Sequence, residues 1–368
     1  MKKHLLAVAA LAAFSSLASA QSVKMYGFLD MGVFTTNNAG TNGQRMTTGA
    51  QAGGNFFPSM YGFTGTEDLG NGMKASFNLQ GSLDVGTGGN EDGGNLFGRY
   101  ASVTLSGSAG SLELGRQIDL LFMQSFVNGV MPTHANSLAV DGLLAYGGGD
   151  RAVRAGSQAA CSTAPATNCT TNANTNSSRI TNAITYTTPS FNGLTLKTMY
   201  SPGGVAGDSS AGSLTSGVLT YGAGPLSLSA GAETQTSQSG VSGSFKKSLV
   251  GAKYTLGALA FAGQAHKYES KTKDIDTNAY ELGVAYSVSP KFTVAVNYES
   301  FDAKADNKDP KITSLKAKYD LSKRTYLYGM AARLNKDAAG QILQGYAITT
   351  GDSTKNATNF AVGVVHGF

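Results

Sequence analysis

The sequence lacks tryptophan altogether, and it has only two cysteines and few charged residues. Of its 368 residues, 14% are charged, whereas an ordinary soluble domain carries about 25% charged residues. Together with a mean hydropathy of −0.11, this low charge argues against a soluble enzyme. After residue 20, no apolar run approaches the roughly 20 residues that a membrane-spanning helix needs, which excludes an inner-membrane helical protein. The 48 glycines have no period of three, which excludes a collagen-like chain, and 16 tyrosines with 17 phenylalanines exclude a disordered one.

The first 20 residues have the composition of a secretory signal peptide. A basic start is followed by the short apolar stretch 5–14 and by Ala18-Ser19-Ala20, which fits the small-residue rule for cleavage. We therefore expect residues 1–20 to be removed and residues 21–368 to fold as one domain.

Alternation of apolar and polar residues is the main structural signal in the mature chain. Tyr280, Leu282 and Val284 alternate with Glu281 and Gly283, for example, and this period of two indicates a β-strand. The pattern predicts sixteen strands, at 23–34, 57–66, 72–83, 97–106, 111–117, 179–187, 193–201, 213–222, 225–234, 246–256, 258–269, 276–288, 291–301, 311–320, 323–333 and 358–368. An even number of strands near ten residues long is typical of transmembrane barrels. The predicted fold class is therefore all-β, a 16-stranded antiparallel transmembrane β-barrel.

The predicted connections alternate between short and long along the whole chain. Short ones include 107–110 and the single residue 257, whereas long ones include 35–56 and 118–178. Barrels of the bacterial outer membrane have short turns on the periplasmic side and longer loops outside. This alternation supports the barrel, and it places the longest loop, 118–178, after the fifth predicted strand.

The mature chain carries no recognisable catalytic or cofactor motif. His134, near Ser137 and Asp141, belongs to the one Ser/His/Asp grouping, and its spacing matches no known nucleophile elbow. The motifs G-x-S-x-G and H-E-x-x-H and the phosphate-binding P-loop are absent. We therefore predict no enzyme activity, no cofactor, no metal and no nucleic-acid partner.

The two cysteines, Cys161 and Cys169, lie eight residues apart in a stretch rich in Ser, Thr and Asn. An exported chain meets an oxidising compartment, so a disulfide that closes a small loop is the first hypothesis. Free thiols and a metal site are the alternatives, and the metal site has the least support because no second Cys/His pair flanks the cysteines.

Six segments and the last residue of the chain form a recognisable pattern. They are MYGFLDMGV (25–33), YGFTGTEDLGNGMKASFNLQ (61–80), LFGRYASVTLSG (96–107), GSLELGRQ (110–117), RITNAITYTTPSFNGLTLKTMYS (179–201), YDLSKRTYLYGMAARL (319–334) and the terminal Phe368. Together they resemble the general diffusion porins of Gram-negative bacteria, especially those of the β-proteobacterial type. The resemblance covers essentially the whole mature chain. It implies an outer-membrane barrel, usually a homotrimer, through which small hydrophilic solutes and ions diffuse. It further implies that loop 118–178 folds inward and narrows the channel.

The resemblance also implies the partners of the chain. These are two further copies of itself, outer-membrane lipid and lipopolysaccharide, and the barrel assembly machinery. The terminal Phe368 is the expected C-terminal assembly signal for that machinery.

In this family, arginines on the barrel wall face carboxylates of the inward loop at the narrowest point. Arg99 in LFGR and Arg179 in RITNAITY match two wall arginines. Alternation agrees for Arg179, but it places Arg99 on the apolar face. Met60 stands where relatives often have a further arginine, which weakens the expected charge selectivity.

The carboxylates of loop 118–178 are Asp119, Asp141 and Asp150. The resemblance makes them candidates for the pore constriction, and Asp141 is equally well interpreted as a solvated loop residue. Arg116 shares the apolar face with Leu112 and Leu114, so we expect it to contact a neighbouring subunit.

Alternation assigns further charged residues to the polar face, which would line the channel. The basic ones are Lys74, Lys197, Lys247, Lys253, Lys316, Lys318, Arg179 and Arg333, joined through the resemblance by Arg99. The acidic ones are Asp30, Asp84, Glu113, Glu233, Glu281 and Glu299. The basic groups outnumber the acidic ones, which predicts a mild preference for anions.

A passive diffusion pore is therefore the predicted function. The alternative is a substrate-selective outer-membrane channel for one class of small solute, such as organic acids. A lumen-plugged barrel enzyme or adhesin is a third hypothesis, against which the missing catalytic set argues.

Overall fold

The computed structural model describes residues 22–37, 45–48, 55–90, 95–131, 179–203, 207–208, 210–236, 244–270, 275–304, 309–337 and 354–368. The strands in these ranges are β1 Ser22–Thr36, β2 Arg45–Thr48, β3 Met60–Gly70, β4 Met73–Ser82, β5 Tyr100–Gly107, β6 Gly110–Ile118, β7 Arg179–Thr187, β8 Leu194–Ser201, β9 Leu214–Ala223, β10 Leu226–Thr236, β11 Ser244–Leu256, β12 Leu259–Ser270, β13 Ile275–Ser289, β14 Phe292–Ala303, β15 Lys311–Asp320, β16 Thr325–Leu334 and β17 Ala357–Gly367. A helix, α1, spans Leu120–Asn128.

Antiparallel pairing carries the sheet around a complete ring. From β3 to β17 each strand pairs with the next one in sequence, and β1 closes the ring by pairing with β17 and with β3. The four-residue β2 pairs with β1 beside Val33–Thr36, so sixteen of the seventeen described strands form the wall. The predicted 16-stranded antiparallel barrel is confirmed. Alternation did not predict β2, because four residues are too few to establish a period.

The strands turn apolar side chains outward and polar or small side chains inward. On β13, Tyr280, Leu282 and Val284 are exposed, whereas Glu281 and Gly283 are buried. Leu282 is 66% exposed, whereas in a globular protein with a hydrophobic core such a side chain would be buried. Such an outer face suits hydrocarbon, because the backbone polar groups are already paired within the sheet.

The two-residue turn between β3 and β4 uses residues that tolerate a positive φ angle. Asn71 and Gly72, which join β3 to β4, have φ angles of 53° and 77°. Two consecutive positive angles define the type I′ turn, for which Asn-Gly is a preferred pair. The local sequence therefore favours the two-residue hairpin and sets the register of β3 against β4.

The helix α1 follows β6 directly, inside the predicted loop 118–178. Its nine residues span fewer than three turns, so helical periodicity in the sequence was too short to predict it. Leu121 and Phe122 are among its buried residues. Among the described residues, no helix is both long enough and apolar enough to cross a membrane.

Candidate functional site: the inner wall of the barrel

The helix α1 begins at a buried carboxylate on the inner side of the wall. Asp119 is the N-cap, and its Oδ1 atom accepts a hydrogen bond from the backbone N–H of Phe122 at 2.7 Å. The same oxygen lies 3.9 Å from Nζ of Lys247, which extends from the inner face of β11. Both charged side chains are buried. Asp119 therefore fixes the start of the helix and balances a buried cation, so its charge is already engaged by the protein.

The last turn of α1 is bonded to the inner faces of β10 and β12. Asn128 accepts a hydrogen bond from the Ser229 hydroxyl at 2.8 Å and donates one to Oε1 of Gln264 at 3.3 Å. Gln264 also donates to the backbone carbonyl of Ser125 at 2.9 Å. Gly251 permits this approach, because a Cβ atom there would collide with the side-chain amide of Asn128. The wall thus holds the helix through polar side chains.

The chain beyond α1 continues along the same wall. Nζ of Lys253 donates to the carbonyl oxygen of Gly129 at 2.9 Å, and Nζ of Lys316 donates to that of Met131 at 3.1 Å. Between them, a Cβ atom on Gly283 would lie only 2.7 Å from a methyl carbon of Val130. Residues 119–131, here called the inward segment, therefore contact the inner faces of strands from β10 to β15.

Two carboxylates lie directly opposite each other on the inner faces of β13 and β14. Glu281 pairs with Glu299 in the strand register, and both are buried. Glu281 accepts hydrogen bonds from Gln264 and from Nδ2 of Asn297, the latter at 2.7 Å. Both carboxylates thus belong to a buried polar layer of the wall, close to the inward segment.

Arg99 lies immediately before β5, where strand alternation does not apply. Its Nε donates to Oε1 of Gln80 at 2.6 Å, and Nε2 of Gln80 donates to the hydroxyl oxygen of Tyr26 at 2.9 Å. Tyr26 and Gln80 both belong to the inner faces of their strands. The side chain of Arg99 therefore lies on the inner side, as the resemblance implied, because a bend in the chain precedes the strand.

Arg179 opens β7 and lies beside the helix. Its guanidinium carbon is 5.9 Å from the ring centre of Phe122, within the range of a cation–π contact. Alternation is interrupted here, because Asn182 has a φ angle of 52° and the β6–β7 register shifts between Gly115 and Gln117. This irregularity, rather than a regular strand face, brings Arg179 to the inward segment.

A second segment, residues 55–59, packs against the inner faces of β1 and β16. Asp30 of β1 accepts hydrogen bonds from the backbone N–H groups of Phe56 and Phe57, the latter at 2.9 Å. It also accepts one from the Tyr328 hydroxyl at 2.7 Å, and the Phe56 ring stacks on Tyr328 with 5.0 Å between centroids. Asp30 is fully buried, so it anchors this segment. Sequence reasoning missed the contact, although Asp30 is the one carboxylate in β1.

The remaining predicted lumen lysines lie on inner faces near the short-turn end of the barrel. Lys74 and Lys197 are exposed there. Lys318 forms an ion pair with Asp320 at 3.0 Å, and its Nζ lies 5.1 Å from the ring centre of Tyr326. These side chains are accessible, unlike the buried charges beside the inward segment.

The prediction that Arg333 lines the channel is wrong. Arg333 lies with Leu327 and Ala331 on the outward face of β16, whereas Tyr328 and Met330 are buried on the inward face. The segment YLYGMAARL has apolar or small residues on both faces, so its hydrophobic pattern does not distinguish them.

Other predicted site residues have different positions. Nε of Arg116 donates to the carbonyl oxygen of Gly98 at 2.6 Å, so it supports the bend before β5. Asp84 lies in the loop after β4, where it accepts a hydrogen bond from the Thr87 hydroxyl at 2.7 Å. The residues that lie outside the described ranges are His134, Asp141, Asp150, Cys161 and Cys169.

The arrangement is a closed barrel with a polar inner wall, and comparison with known proteins agrees with it. Residues 7–339 match the family described as Gram-negative porin. The chain belongs to the Gram-negative porin family. Outer membrane porin protein 32 of Delftia acidovorans is 33% identical over 383 residues, which cover 100% of both chains. An outer membrane porin protein of Bordetella pertussis is 39% identical over 137 residues, which cover 33% of this chain and 34% of that one.

Solved porin structures share the fold. The anion-selective porin from Comamonas acidovorans is 27% identical, with a TM-score of 0.75 over 95% of this chain and 100% of that chain. OmpT of Vibrio cholerae is 14% identical, with a TM-score of 0.63 over 95% of this chain and 98% of that chain, which concerns the fold alone. This porin is therefore an outer-membrane channel of Gram-negative type and not an enzyme, and those predictions are confirmed. In the described part of the chain, no group of three or more His, Cys, Asp or Glu side chains is arranged to hold a metal ion.

Replacing Asp119 with Ala should loosen the inward segment, because it removes both the N-cap of α1 and the carboxylate beside Lys247. Loss of an N-cap costs about 1 kcal/mol, and a buried cation without its counter-charge adds to the cost. The matched control is Asp119→Asn, which keeps a capping oxygen and removes only the charge. Open-channel current noise in planar bilayers should rise most for the Ala variant. Identical noise in the Ala variant and the unmodified porin would contradict this role.

Proposed function

We propose that this porin lets small hydrophilic solutes and ions diffuse passively across the outer membrane, with a mild preference for anions. The observation that carries the proposal is the balance of accessible charge on the inner wall. The accessible basic side chains there are Lys24, Lys74, Lys197, Lys253 and Lys318, and the accessible acidic ones are Asp68, Glu113 and Asp320. Within the described residues, the charges that water and ions can reach are therefore mostly positive.

The buried charges of the inner wall add little to this preference. They are the basic Arg99, Arg179, Lys247 and Lys316 and the acidic Asp30, Asp119, Glu233, Glu281 and Glu299. Bases and acids nearly cancel, and several of them bond to the inward segment or to residues 55–59. The Comamonas relative is named as an anion-selective porin, which agrees with the proposed direction of selectivity.

We also propose that loop 118–178 narrows the channel. Support comes from its described beginning, because residues 119–131 bond to the polar faces of β10 to β15. Asp141 and Asp150 are the proposed further constriction carboxylates, facing Arg99 and Arg179.

The anion preference has a direct electrical test. The reversal potential across a KCl gradient should indicate chloride over potassium at low salt. The preference should shrink near 1 M KCl, because the Debye length falls from about 10 Å at 0.1 M to about 3 Å. Conductance that rises linearly with salt supports a diffusion pore, whereas saturation with an organic acid supports the selective-channel alternative. Potassium over chloride in the unmodified pore would refute the proposal.

We further propose that three copies assemble, with the outer faces of β1, β3 to β6 and β17 in contact. Val23, Met25, Val103 and Val362 are between 60% and 64% exposed on β1, β5 and β17, so these strands present apolar side chains outward. Lipid and lipopolysaccharide would surround the remaining wall. Arg116 lies on this side of the barrel, and Phe368, whose backbone pairs with Gly27 beside it, is the proposed signal for the barrel assembly machinery.

Cysteine crosslinking distinguishes this subunit surface from the lipid-facing wall. In a background without the native cysteines, Met25→Cys should form crosslinked dimers with a short bifunctional reagent. Leu282→Cys is the control, because Leu282 is similarly exposed but lies on β13. Equal crosslinking at both positions, or at neither, would contradict the proposed interface.

Two further proposals concern residues outside the described ranges. We propose that residues 1–20 are cleaved, which N-terminal sequencing of the exported protein would check. We propose that Cys161 and Cys169 form a disulfide, in which case denatured, unreduced protein should contain no reactive thiol.

A further inference from the structure

Five accessible lysines of the inner wall lie near one end of the barrel. Lys24, Lys74, Lys197, Lys253 and Lys318, here called the lysine ring, each lie within three residues of the short-turn end of their strand. Short turns mark the periplasmic side of an outer-membrane barrel. The lysine ring therefore surrounds the periplasmic mouth of the channel.

The lysine ring is spread around the whole circumference. Its members lie on β1, β4, β8, β11 and β15, two to four strands apart around the closed sheet. Strand alternation places each side chain on the inner face, opposite exposed apolar neighbours such as Val23 and Met25 next to Lys24. An anion in the mouth would thus meet positive charge from every side.

At the short-turn end, the accessible carboxylates of the inner wall are fewer than the lysines. Asp320 pairs with Lys318, and Asp68 lies opposite Lys74 in the strand register. Glu113 accepts a hydrogen bond from the Ser102 hydroxyl at 2.7 Å. These three carboxylates leave an excess of positive charge at the mouth.

The short turns on the same side add to this excess. They carry Lys291, Lys323 and Arg324, all exposed, against the half-buried Glu67 on the outward side of β3. The positive field therefore extends from the inner wall to the periplasmic rim.

Solvent exposure distinguishes the lysine ring from the buried charges of the inner wall. The charged residues beside the inward segment, such as Asp119 with Lys247, are paired and buried. The members of the lysine ring are exposed or half-buried, although Lys253 also bonds to Gly129 of the inward segment. An ammonium group is a compact point charge that binds phosphate without a fixed geometry.

We propose that the lysine ring is a binding site for multivalent oxyanions that enter from the periplasmic side. One such anion can contact several lysines at once, so individually weak, screened attractions combine. The inference rests on the proposed anion-preferring channel and adds a location, a ligand class and a direction to it.

Sided block of the channel tests the proposal, with tripolyphosphate as the probe. In planar bilayers at 0.1 M KCl, tripolyphosphate should reduce the chloride current at a lower concentration from one side than from the other. The variant K24Q/K74Q/K197Q should raise the half-blocking concentration on the sensitive side about tenfold, because each lost screened charge weakens binding by a small factor. This increase would identify the side from which block is stronger as the side of the lysine ring.

The matched control is K246Q/K304Q/K311Q, which removes the same number of charges at the long-loop end. It should keep the sided block, and all variants should keep the heat-dependent gel shift of a folded barrel. Block that is equal from both sides, or lost equally in both variants, would overturn the inference. In that outcome the proposed function would stand if the reversal potential still indicates chloride, whereas a cation-selective pore would overturn both.

Discussion

Backbone N–H and C=O groups cannot remain unpaired in hydrocarbon, and closure of the sheet is what satisfies them in this protein. The pairing of β1 with both β17 and β3 completes the ring, so the wall has no open edge among its sixteen strands. Once the backbone is paired, the outward side chains are free to be apolar, as Leu282 and Val103 are. The inner face does not need to form a hydrophobic core, and it carries polar and charged groups.

Those inner polar groups create a second requirement, because a buried charge needs partners. Polar groups of the wall form hydrogen bonds and ion pairs with polar groups of the segments that fold against it. Lys253 and Lys316 donate to backbone carbonyl groups of the inward segment, while Asp119 caps the helix and faces Lys247. Asp30 of β1 accepts hydrogen bonds from the backbone N–H groups of residues 56 and 57.

This mutual pairing divides the charges of the inner wall into two groups with different consequences for permeation. Charges beside the folded segments, apart from the half-buried Lys253, are buried and nearly balanced, so they stabilise the shape of the channel. Charges near the short turns are accessible and mostly basic, so they act on ions in the water. A count of inward-facing charges treats both groups alike, whereas ion selectivity depends chiefly on the accessible group.

The sequence by itself determined the barrel, because alternation of residue types is a local property that can be recognised without the tertiary structure. All sixteen wall strands, the alternating loop lengths and the inward position of residues such as Glu281 follow from it. The resemblance added Arg99, which a bend before β5 brings to the inner side. Only the tertiary structure decided that Asp30 holds residues 55–59, that Asp119 and Lys247 meet, and that Arg333 points outward. The physical reason is that these contacts join residues far apart in the chain, or lie where both faces of a strand have similar polarity, so no local pattern contains them.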